Sequence, residues 1–282
     1  MNMFGNLSGT ENIDFENIFQ EYMVAPQNMI MQMHMLGLMY APSNRITLYS
    51  MGSFLNNDMS LLMRTKLNFQ TNSNGFGDIK LGGLVQLFNS ERRTMHLNLG
   101  VSLPTGSLIE EGVTPMSYPD KTRLGYVMQL GSGSYDVQLG ATYLKQYYNM
   151  SFGVQSSYLH RTGENKEGYT LGNKWNATFW TAYYFTKNIS GSIRLNYDDV
   201  KSIEGADRTF VPMMTTVFDA SNSGKRQLDV SVGGNIAFFK GDLKGMRLAG
   251  EFGIPLYQDV QGIQMNSQFQ FTVGIQYAFG GH

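Results

Sequence analysis

The chain contains no cysteine, so no disulfide framework holds it together. Charge is scarce as well: Asp, Glu, Lys and Arg make up 15% of the residues, against roughly 25% in soluble domains. The formal net charge is −1, which gives no reason to expect a nucleic-acid partner. Nowhere does an apolar run approach the length of about 20 residues that a membrane-crossing helix needs, so a helical membrane protein is excluded. Met1-Asn2-Met3-Phe4-Gly5-Asn6 lacks the basic region and apolar core of a secretory signal. The sequence therefore reads as a mature or N-terminally trimmed chain whose first strand is entered part-way along.

What is present is alternation. From Met265 to Phe279 the apolar residues Phe269, Phe271, Val273, Ile275, Tyr277 and Phe279 take every second position, with Gln268, Gln270, Thr272, Gly274 and Gln276 between them. A period of two is a strand with one apolar and one polar face. The pattern recurs along the chain, together with 32 Gly, 16 Tyr and 18 Phe in 282 residues. A mean hydropathy of only −0.24 in so weakly charged a chain fits strands that meet water on one face. The expected fold is all-β: one domain over 1–282, forming a transmembrane antiparallel β-barrel of about twelve strands.

The expected strands are a stub from Met1 to Gly5, then Asn28–Tyr40, Arg45–Leu55, Phe76–Phe88, Arg92–Leu103, Gln129–Leu144 and Asn149–Arg161. Gly172–Phe185, Ile189–Val200, Arg226–Phe239, Lys244–Tyr257 and Met265–Phe279 complete the set. Tight turns such as Ala41-Pro42-Ser43-Asn44 and Thr186-Lys187-Asn188 alternate with the long connections Asn6–Gln27, Asn56–Gly75, Pro104–Met128 and Lys201–Lys225. Short turns at one end and long loops at the other are the periplasmic and extracellular ends of a barrel in the outer membrane of a Gram-negative bacterium, in contact with lipid and lipopolysaccharide.

Polar residues assign the inner face. An Arg or Lys aimed at lipid in mid-membrane costs about 2–4 kcal/mol, so the expected lumen lining is Asp78, Lys80, His96, Asp136, Lys174, Arg194, Asp198, Asp229, Arg247 and Glu251. Met29, Met31, Met33, Met35 and Met39 share one face of one strand. Thioethers are soft ligands that select Cu(I), and His34 and Met51 lie close enough in sequence to join such a set. Against a metal path stands the simpler reading that the row covers the lipid face, with Asn28, Gln32 and His34 turned to the lumen. That is the expectation taken forward. No nucleophile motif accompanies the lumen Ser, His and Asp residues, and no helix follows the glycines at 75–77 or 131–133 to make a phosphate cradle. Neither an enzyme nor a cofactor is expected. His160 falls near a strand end and His282 at the C-terminus.

Several stretches carry a family resemblance: Tyr22-Met23-Val24-Ala25-Pro26, Met33-His34-Met35-Leu36-Gly37, Met39-Tyr40-Ala41-Pro42, Leu97-Asn98-Leu99-Gly100, Ser102-Leu103-Pro104-Thr105-Gly106-Ser107 and Gln129-Leu130-Gly131-Ser132-Gly133. With Gly168-Tyr169-Thr170-Leu171-Gly172 they resemble the outer-membrane transporter-like proteins of the "MetA-pathway of phenol degradation" family. The resemblance spans roughly residues 1–280 and implies a porin-like channel for small polar or amphipathic solutes, aromatic ones among them. Two alternatives stand beside it: a non-conducting barrel that anchors or partners an envelope assembly, and a methionine-lined passage for copper or silver.

Overall fold

Alternating strands with one apolar face have no stable place for that face except lipid or another sheet, and closing the sheet on itself removes its edges. The computed structural model, which describes residues 1–279, shows this closure; Gly280, Gly281 and His282 lie outside the described residues. The spanning strands are β1 (Asn2–Gly9), β2 (Val24–Ser43), β3 (Ile46–Met63), β4 (Ile79–Ser90), β5 (Arg93–Leu103), β6 (Asp136–Gln146), β7 (Met150–Arg161), β8 (Lys174–Tyr184), β9 (Ile189–Val200) and β10 (Lys225–Ala237). The last element, Met246–Tyr277, is a hairpin folded at Gly262, whose φ of +65° suits glycine. Its limbs, β11 (246–260) and β12 (263–277), are joined by Ala278 N–H donating to Gly245 O at 3.0 Å and by Gln258 bonding the backbone of Ser267 in both directions. Ten strands and two limbs make twelve, all antiparallel neighbours, and β1 closes the ring by pairing with β2 on one side and β12 on the other. No helix of the described residues is long and apolar enough to cross a membrane.

The outward positions are apolar and exposed: Leu99, Val101, Leu139, Val154, Phe179, Ile193, Val232, Phe252 and Ile275 among them. A belt of this kind on a folded surface calls for lipid, not water. Ile193→Lys, outward on β9 and opposite Thr181 and Val232, should therefore cost about 2–4 kcal/mol. Urea unfolding of the barrel in lipid vesicles reads this out, and an unchanged midpoint would show that the belt does not face the bilayer.

Three expected boundaries need correction. Residues 56–75 are not a loop. β3 runs on to Met63 and pairs with the strand Asn68–Phe76, a hairpin that rises beyond the barrel wall. Its outer face carries Asn56, Asp58, Gln70 and Asn72, which marks it as standing in water. The strand expected from Gln129 begins only at Asp136, because Ser132 and its neighbours are drawn into the loops by Asp78. The expected strand Phe76–Phe88 is interrupted at Gly77-Asp78, where the sheet hands over from the hairpin to β4. Along β2 from 32 to 43 and along β12 from 270 to 277, the edges facing each other pair with no strand among the described residues.

Candidate functional site: two apolar chambers under a tied lid

Charges gather on one wall of the barrel. On β6–β11 the inward residues include Asp136, which is fully buried and ion-paired with Arg161, and Glu251, which pairs with Arg194. Lys174 meets Asp198 at 2.8 Å, and Asp198 also accepts from Asn176 and Asn196. Asp229 accepts from Gln227 at 2.7 Å, and Arg247 donates to Asn235 at the turn end. Lys80 lies inward on β4 opposite Ser102 and Met51. His96 lies inward on β5 between Gln86 and Thr142. Asp78 sits higher, accepting from Gly106 N–H at 2.9 Å and from both the N–H and the hydroxyl of Ser132. Its observed contacts tie down loops rather than line an open bore.

Two aromatic residues also point inward. The Tyr49 ring lies over Gly82 and Gly100, where a Cβ would come within 2.4 Å and 2.7 Å of it respectively. Trp180 covers Gly153 in the same way, at 2.0 Å. Reading polar residues as the inner face overlooks both. The available signal was parity: Trp180 stands an even number of positions from Lys174, and Tyr49 from Met51.

The methionine row does not face lipid. Met29 has no exposed surface and packs with Val24, Met59, Leu61, Leu124 and Met128 inside the barrel. Alternation places Met31, Met33, Met35 and Met39 on the same inward face, and Gln32 and His34 outward, with His34 opposite Phe54. The reason lies in the height of the strand. Around Met29 and Met31, β2 stands beside the wet outer face of the β3 hairpin while its inner face meets folded loops, so polarity there is inverted relative to mid-membrane. His34 is thereby on the opposite face from the methionines. Met51, opposite Gly37, is far down β3 from Met59.

Loops fold over this end as a lid. Arg123 holds three of them at once, pairing with Glu167 at 2.9 Å and Asp207 at 3.0 Å and donating to Leu108 O. Tyr126 packs edge-on against Tyr169 and Phe210, each at 4.9 Å, and its hydroxyl accepts from Asp207 N–H. Burial pushes the Tyr169 phenol up to about 12. Tyr22, just after helix α1 (Phe15–Glu21), donates to Asp219 at 2.8 Å and accepts from Asn222 at 2.9 Å, fastening the 201–224 loop to the wall.

This last clasp has two pH limits. Burial first, then the bond to Asp219, push the Tyr22 phenol up from 10.0 to about 12. Burial opposes ionisation of Asp219, but hydrogen bonds from Ser221 and Tyr22 overcome it and hold the carboxyl below 3.8. A raised phenol stabilises the fold fully below pH 10 and loses that contribution as pH rises from 10 toward 12. A depressed carboxyl contributes above pH 3.8 and loses its share as pH falls through its folded value. Limited proteolysis of the 201–224 loop should accelerate in both windows, and Tyr22→Phe should abolish the alkaline change. A loop equally resistant at pH 7 and pH 11 would contradict this.

Beneath and between the loops lie two apolar chambers. The outer one, of about 280 Å³, is lined by Leu61, Phe69, Met116, Leu124, Met128 and Phe218. The inner one, of about 260 Å³, is lined by Met3, Met29, Met31 and Met265 on one side and by Asp219 and Lys225 on the other. Val217 belongs to both, and Met29, Met59 and Met128 pack together between them. A wider cavity of about 680 Å³ opens at the turn end, among Asn235, Lys244, Arg247, Gln276 and Tyr277.

No family model matches the chain, and no curated protein matches it. Among solved structures it is similar to the COG4313 outer membrane channel from Pseudomonas putida F1, at TM-score 0.60 and 13% identity, over 98% of this chain and 91% of that one. The fold is that of an outer-membrane β-barrel. A Pseudomonas aeruginosa FadL homologue matches more loosely, at TM-score 0.47 and 12% identity, over 90% of this chain and 70% of that one.

Proposed function

We propose that this barrel is an outer-membrane channel for passive passage of small polar or amphipathic solutes, aromatic ones included, with lipid and lipopolysaccharide around it. One observation carries the reading: two apolar chambers share Val217 and lie on either side of the packed Met29, Met59 and Met128, inside a barrel with one charged wall. An amphipathic molecule can keep its apolar part on the methionine side and its polar part toward Asn222, Lys225 and the charge ladder. Methionine suits such a surface because its flexible, polarisable thioether adapts to varied shapes and makes favourable contacts with aromatic rings. The likeness of the sequence to the "MetA-pathway of phenol degradation" proteins supports the same solute class.

The test is single-channel recording in planar bilayers together with uptake of phenol-sized solutes into liposomes. Conductance in discrete steps is expected. Lys80→Glu with Arg247→Glu, neither of which pairs with a carboxylate among the described residues, should shift the reversal potential toward cation preference, since charges in a narrow low-dielectric bore focus their field. A sealed barrel that admits no solute would favour the anchoring role instead.

A further inference from the structure

We propose that Met3, Met29 and Met59, supported by Met31, Met265 and Met128, form a thioether site for a soft monovalent cation, Cu(I) or Ag(I). The register supplies the geometry. Met3 stands directly opposite Met29 across β1 and β2, and Met29 directly opposite Met59 across β2 and β3. Directly opposed residues on one face have Cβ atoms about 4.5–5.5 Å apart, and each methionine adds a flexible reach to its sulfur. Three sulfurs from three neighbouring strands can therefore converge on one point. Successive methionines along a single strand cannot, because alternate residues lie about 6.6–7 Å apart.

Three further methionines surround that rung. Met31 is the next inward residue of β2, Met265 comes from β12 on the far side of β1, and both pack against the cluster with Met3. Met128 closes it from the lid, held there by the Ser73 hydroxyl donating to its carbonyl at 2.6 Å. Met29, Met59 and Met128 are 0%, 2% and 1% exposed, so water competes poorly for the centre. Leu61, Leu124 and Val24 fill the rest of the cluster, which shows that ordinary aliphatics fit there. Yet seven of the chain's 19 methionines meet at this one place, Met63 being the seventh.

The donor set decides the ion. Neutral sulfur ligands select Cu(I) and its congener over hard divalent cations, and no cluster of His, Asp and Glu able to hold a metal occurs among the described residues. The inner chamber gives access, and its wall carries the Asp219 carboxylate as well as Lys225.

Silver is the practical probe, because it needs no reductant. The refolded full chain would be equilibrated with Ag(I) in chloride-free buffer, desalted, analysed for bound silver and examined by X-ray absorption. One retained ion with sulfur-only coordination is expected. Met3→Leu/Met29→Leu/Met59→Leu, a volume-conserving change, should weaken binding roughly tenfold or more while heat-modifiable migration of the barrel persists. Met33→Leu/Met35→Leu/Met51→Leu should bind as the parent does. Should the first variant not fold, Met59→Leu alone and the absorption spectrum of the parent still decide. No retained silver, oxygen or nitrogen coordination, or undiminished binding by the rung variant would overturn the site and leave the cluster an apolar partition.

Discussion

Replacing Arg123 with Met should make the barrel conduct more freely. Its guanidinium joins the loops at Leu108, Glu167 and Asp207, and the Asp207 side chain is only 2% exposed. Removing one partner of a buried ion pair leaves the other charged and unpaired, at a cost of about 3–5 kcal/mol. The strands, with their own ladders, do not depend on this pair. The loss therefore falls on the lid: barrel migration on a gel should persist while single-channel conductance rises several-fold and the 201–224 loop becomes protease-sensitive. Unchanged conductance in Arg123→Met would mean that the lid does not limit flow.

The second large effect is expected at the partition. Met29→Ala with Met128→Ala removes two fully buried side chains from the wall between the chambers. Each truncation of this kind costs about 2–5 kcal/mol because a cavity remains. Here the cavity also has a consequence, since it joins two existing chambers of about 280 and 260 Å³ into one passage. Liposome uptake of a phenol-sized solute should rise well above the parent rate, with a smaller change for a similarly sized sugar. Equal acceleration of both would indicate a general leak rather than an amphipathic path.

These two variants separate the lid from the partition. In Arg123→Met the loops loosen while the methionine cluster keeps its strand-borne members, so ions gain most. In the alanine pair the loops stay tied and only the apolar wall thins, so amphipathic solutes gain most.

The sequence by itself determined the barrel. A period of two is set by backbone geometry and needs no knowledge of neighbours, and turn residues end strands locally. With loop lengths added, these features gave the strands of the lower wall and their inward residues, such as Arg194, Asp198 and Glu251, opposite apolar Ile193 and Leu195. Tertiary structure alone decided what happens near the loops. There the bilayer ends, and the rule that polar means inward fails: Asn56 and Asp58 face outward into water while Met29 and Met59 face inward onto Leu124 and Met128. Strand alternation states that two faces differ but not which one is inside. The inner partner of Met29 comes from a loop about a hundred residues away, and no local pattern encodes that contact.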